Sequence, residues 1–381
     1  MAYMNCSGID VFSGNTVEVA FDTTIHSIAP AAAGTDLYLT PGFIDIQVNG
    51  FAGVDYNRPE TTHEEIARSI HVLCSCGVTR FYPTVITGGP EDMAGALKNL
   101  ACAKETLAEG AAMDGFHVEG PYISPEDGPR GAHPRHWVRK PDVDEYRRWQ
   151  EAAGGHIRLI TLSPEWPEAP AFIEAIVADG VVASVGHTQA SAEQIDAAVR
   201  AGATLSTHLG NGAHAVMRRH PNYLWDQLCD DRLMADFIVD GIHLGAHFLK
   251  VALRAKGVSR SVLVTDAAAP AGCAPGRYYL GEQVVDLLPP GDRVVLAGTE
   301  KLAGSALRME DGVANLVTLG ELPLTDAVRM ATLNAAIAGN VPGRTRGLVK
   351  GDRADFVQFR WDGRRISVAA TWIDGQQVYS A

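Results

Sequence analysis

The sequence predicts an α/β protein: a (β/α)8 TIM barrel with a small β-sandwich domain formed from both chain termini. Three observations carry this expectation. Between about residues 42 and 340, short apolar runs alternate with Ala-rich helical stretches, the pattern of a parallel sheet covered on both faces. Eight such units can be counted, which favours a closed barrel over an open doubly wound sheet. Both ends of the chain read as β-strands, and neither end alone holds enough of them for an independent sheet.

The barrel strands are expected at 43–48, 78–85, 113–119, 157–162, 181–186, 204–208, 235–240 and 261–265. Helical periodicity marks 64–76, 91–107, 143–152, 171–178, 192–201 and 246–255, with a last helix at 324–338 after a long segment that follows the eighth strand. At the N-terminus, 7–12 and 15–19 are strand-like around Ser13-Gly14, a hairpin signal. At the C-terminus, 354–359 and 366–372 are split by Asp362-Gly363. The expected division is 1–41 and 341–381 for the two halves of the β domain, and 42–340 for the barrel.

Composition bounds the function. The 381 residues are 46% hydrophobic and 20% charged, with ample apolar material for a large core. A net charge of −13 without a basic stripe argues against a nucleic-acid partner. The six cysteines lack paired zinc-finger or redox spacing and read as reduced thiols. No basic region followed by an apolar run opens the chain, and no apolar stretch is long enough to span a bilayer. The expectation is a soluble, cytoplasmic protein acting on a small molecule.

The strand ends carry the chemistry. In chain order they present Asp45, Gln47 and Asn49; Glu119; His187; His208; Asp240 and His243; and Asp266. In such a barrel all the C-terminal strand ends face one mouth. One histidine there is more often structural than functional, but polar residues on five or six strands are not explained by core packing. Glu119 at the end of an apolar strand is costly unless paired or metal-bound. It breaks into Gly120-Pro121 rather than a helix, so helix capping does not account for it. Glu119, His187 and His208 form an oxygen-plus-nitrogen set suited to Zn2+ or a similar ion, with one position left for water. Asp266 is placed to take a proton from that water and pass it to a leaving nitrogen. His117, two residues before Glu119 and one layer deeper, reads as structural.

These motifs resemble a known family. Residues 41–50 (Pro-Gly-Phe-Ile-Asp-Ile-Gln-Val-Asn-Gly), His117-Val118-Glu119-Gly120-Pro121-Tyr122, Gly186-His187-Thr188, Thr207-His208-Leu209, Asp240-Gly241-Ile242-His243, Thr265-Asp266-Ala267 and Leu302-Ala303-Gly304-Ser305 are similar to the N-acetylglucosamine-6-phosphate deacetylases of the amidohydrolase superfamily. The resemblance implies metal ligation by Glu119, His187 and His208, and Asp266 as general base and then acid. Gln47 and Asn49 stand where most amidohydrolases have a His-x-His pair, which implies one divalent ion per subunit, Zn by preference, with Fe and others accepted. It further implies His133 facing the acetyl carbonyl, His243 on sugar hydroxyls, and Asn211, Gly212 and Arg219 at the phosphate. Gln47, Leu302, Ala303 and Gly304 complete the implied substrate set. The Arg would reach in from a neighbouring subunit, which implies a homodimer.

The chain departs from the family after His208. Asn211-Gly212-Ala213 replaces the usual Asn-Ala-Met, and Arg219-His220-Pro221-Asn222 replaces Arg-Glu-Pro-Gly. The substrate therefore stays open between N-acetylglucosamine 6-phosphate, another acetylated hexosamine phosphate, an unphosphorylated N-acetyl sugar and a cyclic amide. An inactive sugar-binding barrel is the reading from another class, and it would bind no stoichiometric metal.

Overall fold

Nine consecutive buried residues, Val78–Ile86, show how the central strands are made: covered on both faces, by helices on one side and the barrel interior on the other. Eight such strands pair in parallel in chain order: Phe43–Val48, Val78–Ile86, Phe116–Glu119, Ile157–Leu162, Val182–Val185, Leu205–Ser206, Met234–Ile238 and Ser261–Val264. The computed structural model describes residues 3–381. The first and last strands meet at the mouth, where Asp266 N donates to Gln47 O (3.0 Å) and Asn49 N to Ala267 O (2.8 Å). The expected barrel is therefore present, with its strands in the expected order.

Local signals set the outer helices. Thr62 and Glu65 form a capping box at His63–Ser75, and Ser191 and Gln194 form another at Ala192–Arg200. Asp142 Oδ1 caps Val143–Ala152 by accepting from Asp144 N and Glu145 N. No described helix is long and apolar enough to cross a membrane.

Both termini share one seven-stranded sheet, in the order Gln376–Ser380, Ile366–Ile373, Phe356–Trp361, Leu37–Pro41, Met4–Asp10, Thr16–Phe21, Ile25–Pro30. It rolls over its own core. Phe21 and Phe356 lie three strands apart, yet their rings meet edge to face at 4.7 Å. The outer edge closes through Ile25 N to Asp352 O (2.9 Å).

Two regions differ from expectation. The segment expected as the single helix 324–338 is two helices, Leu324–Met330 and Leu333–Ala338. At the break, the Ala331 carbonyl accepts from Ile44 N (2.8 Å) in the first barrel strand, a bond that an unbroken helix would forbid. The long segment after the eighth strand is not structureless. It holds a three-stranded antiparallel sheet, Gly276–Leu280, Gln283–Leu288 and Arg293–Leu296, and then the helix Met309–Thr318. Aromatic and β-branched runs around Gly281-Glu282, followed by Pro289-Pro290-Gly291-Asp292, are the hairpin signals for that sheet.

The terminal sheet is bolted to the barrel by one carboxylate. Asp355 accepts from Arg80 Nε (2.7 Å), Arg80 Nη2 (2.9 Å) and Arg344 Nη1 (2.8 Å), and all three residues are buried. Arg344 also reaches Gly42 O at 2.6 Å, where the chain enters the barrel. Burial pushes the Asp355 carboxyl up, but Arg344 and Arg80 outweigh it and hold the group below its ordinary value. A depressed folded-state pKa contributes stability that is present above the unfolded value and lost as pH falls through the folded one. Asp355→Ala leaves the buried Arg344 guanidinium without a carboxylate and Arg80 with Asp374 alone, and should cost about 3–5 kcal/mol. The measurement is urea unfolding at neutral pH and at successively lower pH. The gap between parent and variant should shrink with acidification below about pH 4.

Candidate metal centre and active site

The strand ends converge as the sequence predicts. Glu119 Oε1, at the end of the third strand, lies 2.8 Å from His208 Nε2, 3.1 Å from His187 Nε2 and 3.0 Å from Gln47 Nε2. His133 Nε2 stands 4.0 Å from the other carboxylate oxygen. Glu119, His133 and His187 present ligand atoms within 4.8 Å of one another, so His133 belongs to the same cluster by distance. All of these side chains are buried.

The protonation pattern fits a cation. His187 Nδ1 faces Pro129 O at 2.8 Å, and a carbonyl only accepts, so Nδ1 carries the proton. The Nε2 lone pair of a neutral ring then points at a carboxylate oxygen, an arrangement that needs a proton or a cation between them. Without a cation, the Glu119 carboxyl is held below its ordinary value by hydrogen bonds from His187 and His208 that outweigh its burial. Burial works against charge on His208, yet Glu119 lifts that ring to about 9. A carboxylate and two imidazoles on converging strands are a donor set that a divalent ion accepts.

Asp266 sits across the mouth. Its Oδ1 accepts from Asn49 Nδ2 (2.7 Å) and Gln47 Nε2 (3.1 Å). The Gln47 amide thus bridges Glu119 and Asp266 with N–H groups, which offer no lone pair to a metal. Burial first, and then the Glu119 charge, push the Asp266 carboxyl up to about 6. Behind it, Asp45 Oδ2 accepts from Thr265 Oγ1 (2.5 Å) and fixes the preceding residue. Burial, and then His187, lower His133 to about 3, so its ring is neutral, with Nδ1 beside Thr87 Oγ1 at 2.8 Å.

Strain gathers here. His187, His208 and Asp266 all have positive φ (48°, 30° and 50°), which costs a non-glycine residue about 1–2 kcal/mol. Neighbouring backbone holds each one: Ser124 N donates to His187 O, Asn211 N to His208 O, and Ser305 N to Asp266 O. Gly186 is crowded as expected, since an added Cβ would lie 2.7 Å from Thr161 Cγ2.

Glu119, His133, His187, His208 and Asp266 line a cavity of about 500 Å3 together with Asn49, Asn211, Gly212, His243, Leu302 and Gly304, while Gln47, expected among the substrate residues, is buried and does not line it. His243 is oriented by Asp240 Oδ2, 2.6 Å from its Nδ1. Ala303 is buried behind the wall rather than lining it, and Arg219 is exposed outside this chain's cavity. His117 is structural, with Nε2 2.7 Å from Thr161 Oγ1 and its ring lowered to about 4 by burial. The sequence reading missed Leu280, Gln283 and Lys301, which the three-stranded flap and the turn after it bring to the cavity. Gln283 Nε2 ties the flap to the substrate loop at Ala132 O (2.6 Å).

A closed barrel with buried carboxylate and imidazoles at its mouth defines a metal-type hydrolase, and the Amidohydrolase family profile matches residues 38–378: the chain belongs to the amidohydrolase family. It is 33% identical to the N-acetylglucosamine-6-phosphate deacetylase of Bacillus subtilis, over 85% of this chain and 81% of that one. It is 34% identical to the Homo sapiens enzyme of the same name, over 90% and 84%. Among solved structures, a mutant N-acetyl-D-glucosamine-6-phosphate deacetylase from Mycobacterium smegmatis, in complex with N-acetyl-D-glucosamine-6-phosphate, superposes with a TM-score of 0.89 at 31% identity, covering 100% of both chains. Within the family, these likenesses place the chain among the N-acetylglucosamine-6-phosphate deacetylases.

Gly212 is where the chain's departure from its family meets the centre. It has φ +53°, and an added Cβ would lie 2.8 Å from His187 Nδ1. Alanine is the family's usual residue here and should be tolerated, whereas Gly212→Val, β-branched at positive φ, should push the imidazole aside and weaken metal binding about 10–100-fold. Elemental analysis after dialysis against graded chelator reads this loss, with far-UV circular dichroism unchanged.

Proposed function

We propose that Glu119, His187 and His208 hold one divalent ion, zinc by assignment, and that Asp266 is the proton carrier in hydrolysis of N-acetylglucosamine 6-phosphate to glucosamine 6-phosphate and acetate. The observation that carries this reading is the bridging Gln47 amide. It directs N–H groups at both Glu119 and Asp266, leaving one ligand cluster and a separate, oriented base. A divalent ion in that cluster supplies Lewis acidity to water and to the acetyl carbonyl.

The chain's own groups do the rest. Asp266, its Oδ1 held by Asn49 and Gln47, takes a proton on Oδ2 as water attacks the acetyl carbon, and returns it to the nitrogen as the C–N bond breaks. His133 is neutral, and in the tautomer whose Nδ1 accepts from the Thr87 hydroxyl its proton is on Nε2, on the side of the Glu119 cluster where the acetyl carbonyl would lie. That donor favours the charge that develops on oxygen in the transition state. His243 addresses sugar hydroxyls, while Asn211 and Gly212 take the phosphate with Arg219 of a second subunit. An Arg exposed outside its own chain's cavity agrees with that donation and with a homodimer. The same reading assigns catalysis to residues 42–340, support to 1–41 and 341–381, and the protein to the cytoplasm.

Asp266→Asn should retain about one equivalent of metal per chain by elemental analysis while losing about 10^3-fold or more in kcat. A fully active variant would remove Asp266 from the mechanism. In steady-state assays, Arg219→Ala should raise KM for the phosphorylated substrate alone. Equal kcat/KM of the parent for N-acetylglucosamine and its 6-phosphate would refute phosphate recognition.

A further inference from the structure

The cavity is short of positive charge for the substrate assigned to it. Two carboxylates, Glu119 and Asp266, line it, and the imidazole of His243 is already engaged by Asp240. Of the residues lining the cavity, Lys301 is the single lysine or arginine. Among the described residues its hydrogen bonds are backbone ones only: N–H to Thr299 Oγ1 (3.1 Å) and carbonyl from Leu296 N (2.8 Å). Those bonds, with the Val295–Leu302 bridge, fix the Lys301 backbone against the last flap strand, while the ammonium stays uncommitted.

The surroundings favour an anion. Burial, and then the nearby Arg130 guanidinium, hold the Lys301 ammonium below its ordinary pKa. Asp127, the neighbouring counter-charge, already pairs with Arg130, whose buried Nε has no acceptor. Two cations thus share one spent carboxylate; Arg130 also donates to His133 O (2.7 Å), and Lys301 is the one that lines the cavity, with Gly128 and Gly131 of the substrate loop. An added dianion would relieve both.

We propose that Lys301 is a specificity-determining residue that binds the substrate's phosphate in cis, from the flap, independently of any arginine supplied by a second subunit. This rests on the amino-sugar phosphate reading above and adds to it the residue that reads the phosphate within one chain. Lys301 touches the distal anion and not the reacting amide, so its loss should act on KM.

Steady-state kinetics of the parent, Lys301→Ala and Lys301→Arg test this with N-acetylglucosamine 6-phosphate. The alanine variant should raise KM about tenfold with kcat within about twofold, and arginine should restore most of the loss. Calorimetric titration with glucosamine 6-phosphate and with glucosamine provides a second readout: the parent's preference for the phosphorylated amine should fall by a similar factor in Lys301→Ala. If KM and that preference both match the parent, Lys301 does not read phosphate, and the deacetylase reading stands. A parent that cannot hydrolyse the phosphorylated substrate would instead sink that reading, and the titration would still decide Lys301.

Discussion

A carboxylate taken out of water must be met by protons or a cation, and Glu119 imposes that demand on the whole mouth of the barrel. Its Oε1 draws side chains from the first, fifth and sixth strands to one point. Meeting it requires His187 and His208 to turn sharply as their strands end, and both do so with positive φ. The adjacent peptides hold the resulting strain through hydrogen bonds: His187 O takes Ser124 N from another loop, and Leu209 N, just after His208, donates to Asp236 O of the seventh strand. The charged centre is thus a consequence of the scaffold's rigidity.

Below it the polarity changes character. His117, Thr161, Thr207 and Ser184 form a hydroxyl–imidazole chain with contacts of 2.6–2.7 Å. These groups are neutral and buried and pair with one another away from the Glu119 cluster, with His117 Nδ1 left without a partner. Charge sits in the layer open to substrate and neutral hydrogen bonds in the layer beneath. That separation lets the barrel interior carry polar residues without a second ligand cluster.

Much of this was legible in the residues. Strand ends give functional side chains away because buried runs stop at them: Glu119 closes its strand, and His187, His208 and Asp266 each stand two residues past the end of theirs. Asn49 and Gln47 showed their place but not their partners, since an amide's role depends on which atoms face it across 217 and 219 residues of chain. The flap was harder because its strands are half exposed and their apolar pattern is short. Lys301 carried no signal at all, as a lysine in a polar turn is ordinary. Only the docking of the flap, through Gln283 to Ala132, makes it a cavity residue.

The seam between the first and eighth strands joins two events that are usually separate. One of the peptide N–H groups that close the barrel belongs to Asp266, and the side chain it carries is the proposed proton carrier. Its partners Gln47 and Asn49 come from the opposite end of the barrel's sequence, so this contact is among the last that chain entropy allows to form. A chain with seven strands in place would already own its histidines and its carboxylate ligand, and still lack a base held in register. Under the proposed role of Asp266, competence for catalysis would arrive with topological completion, and regain of turnover during refolding would time the moment the ring shuts.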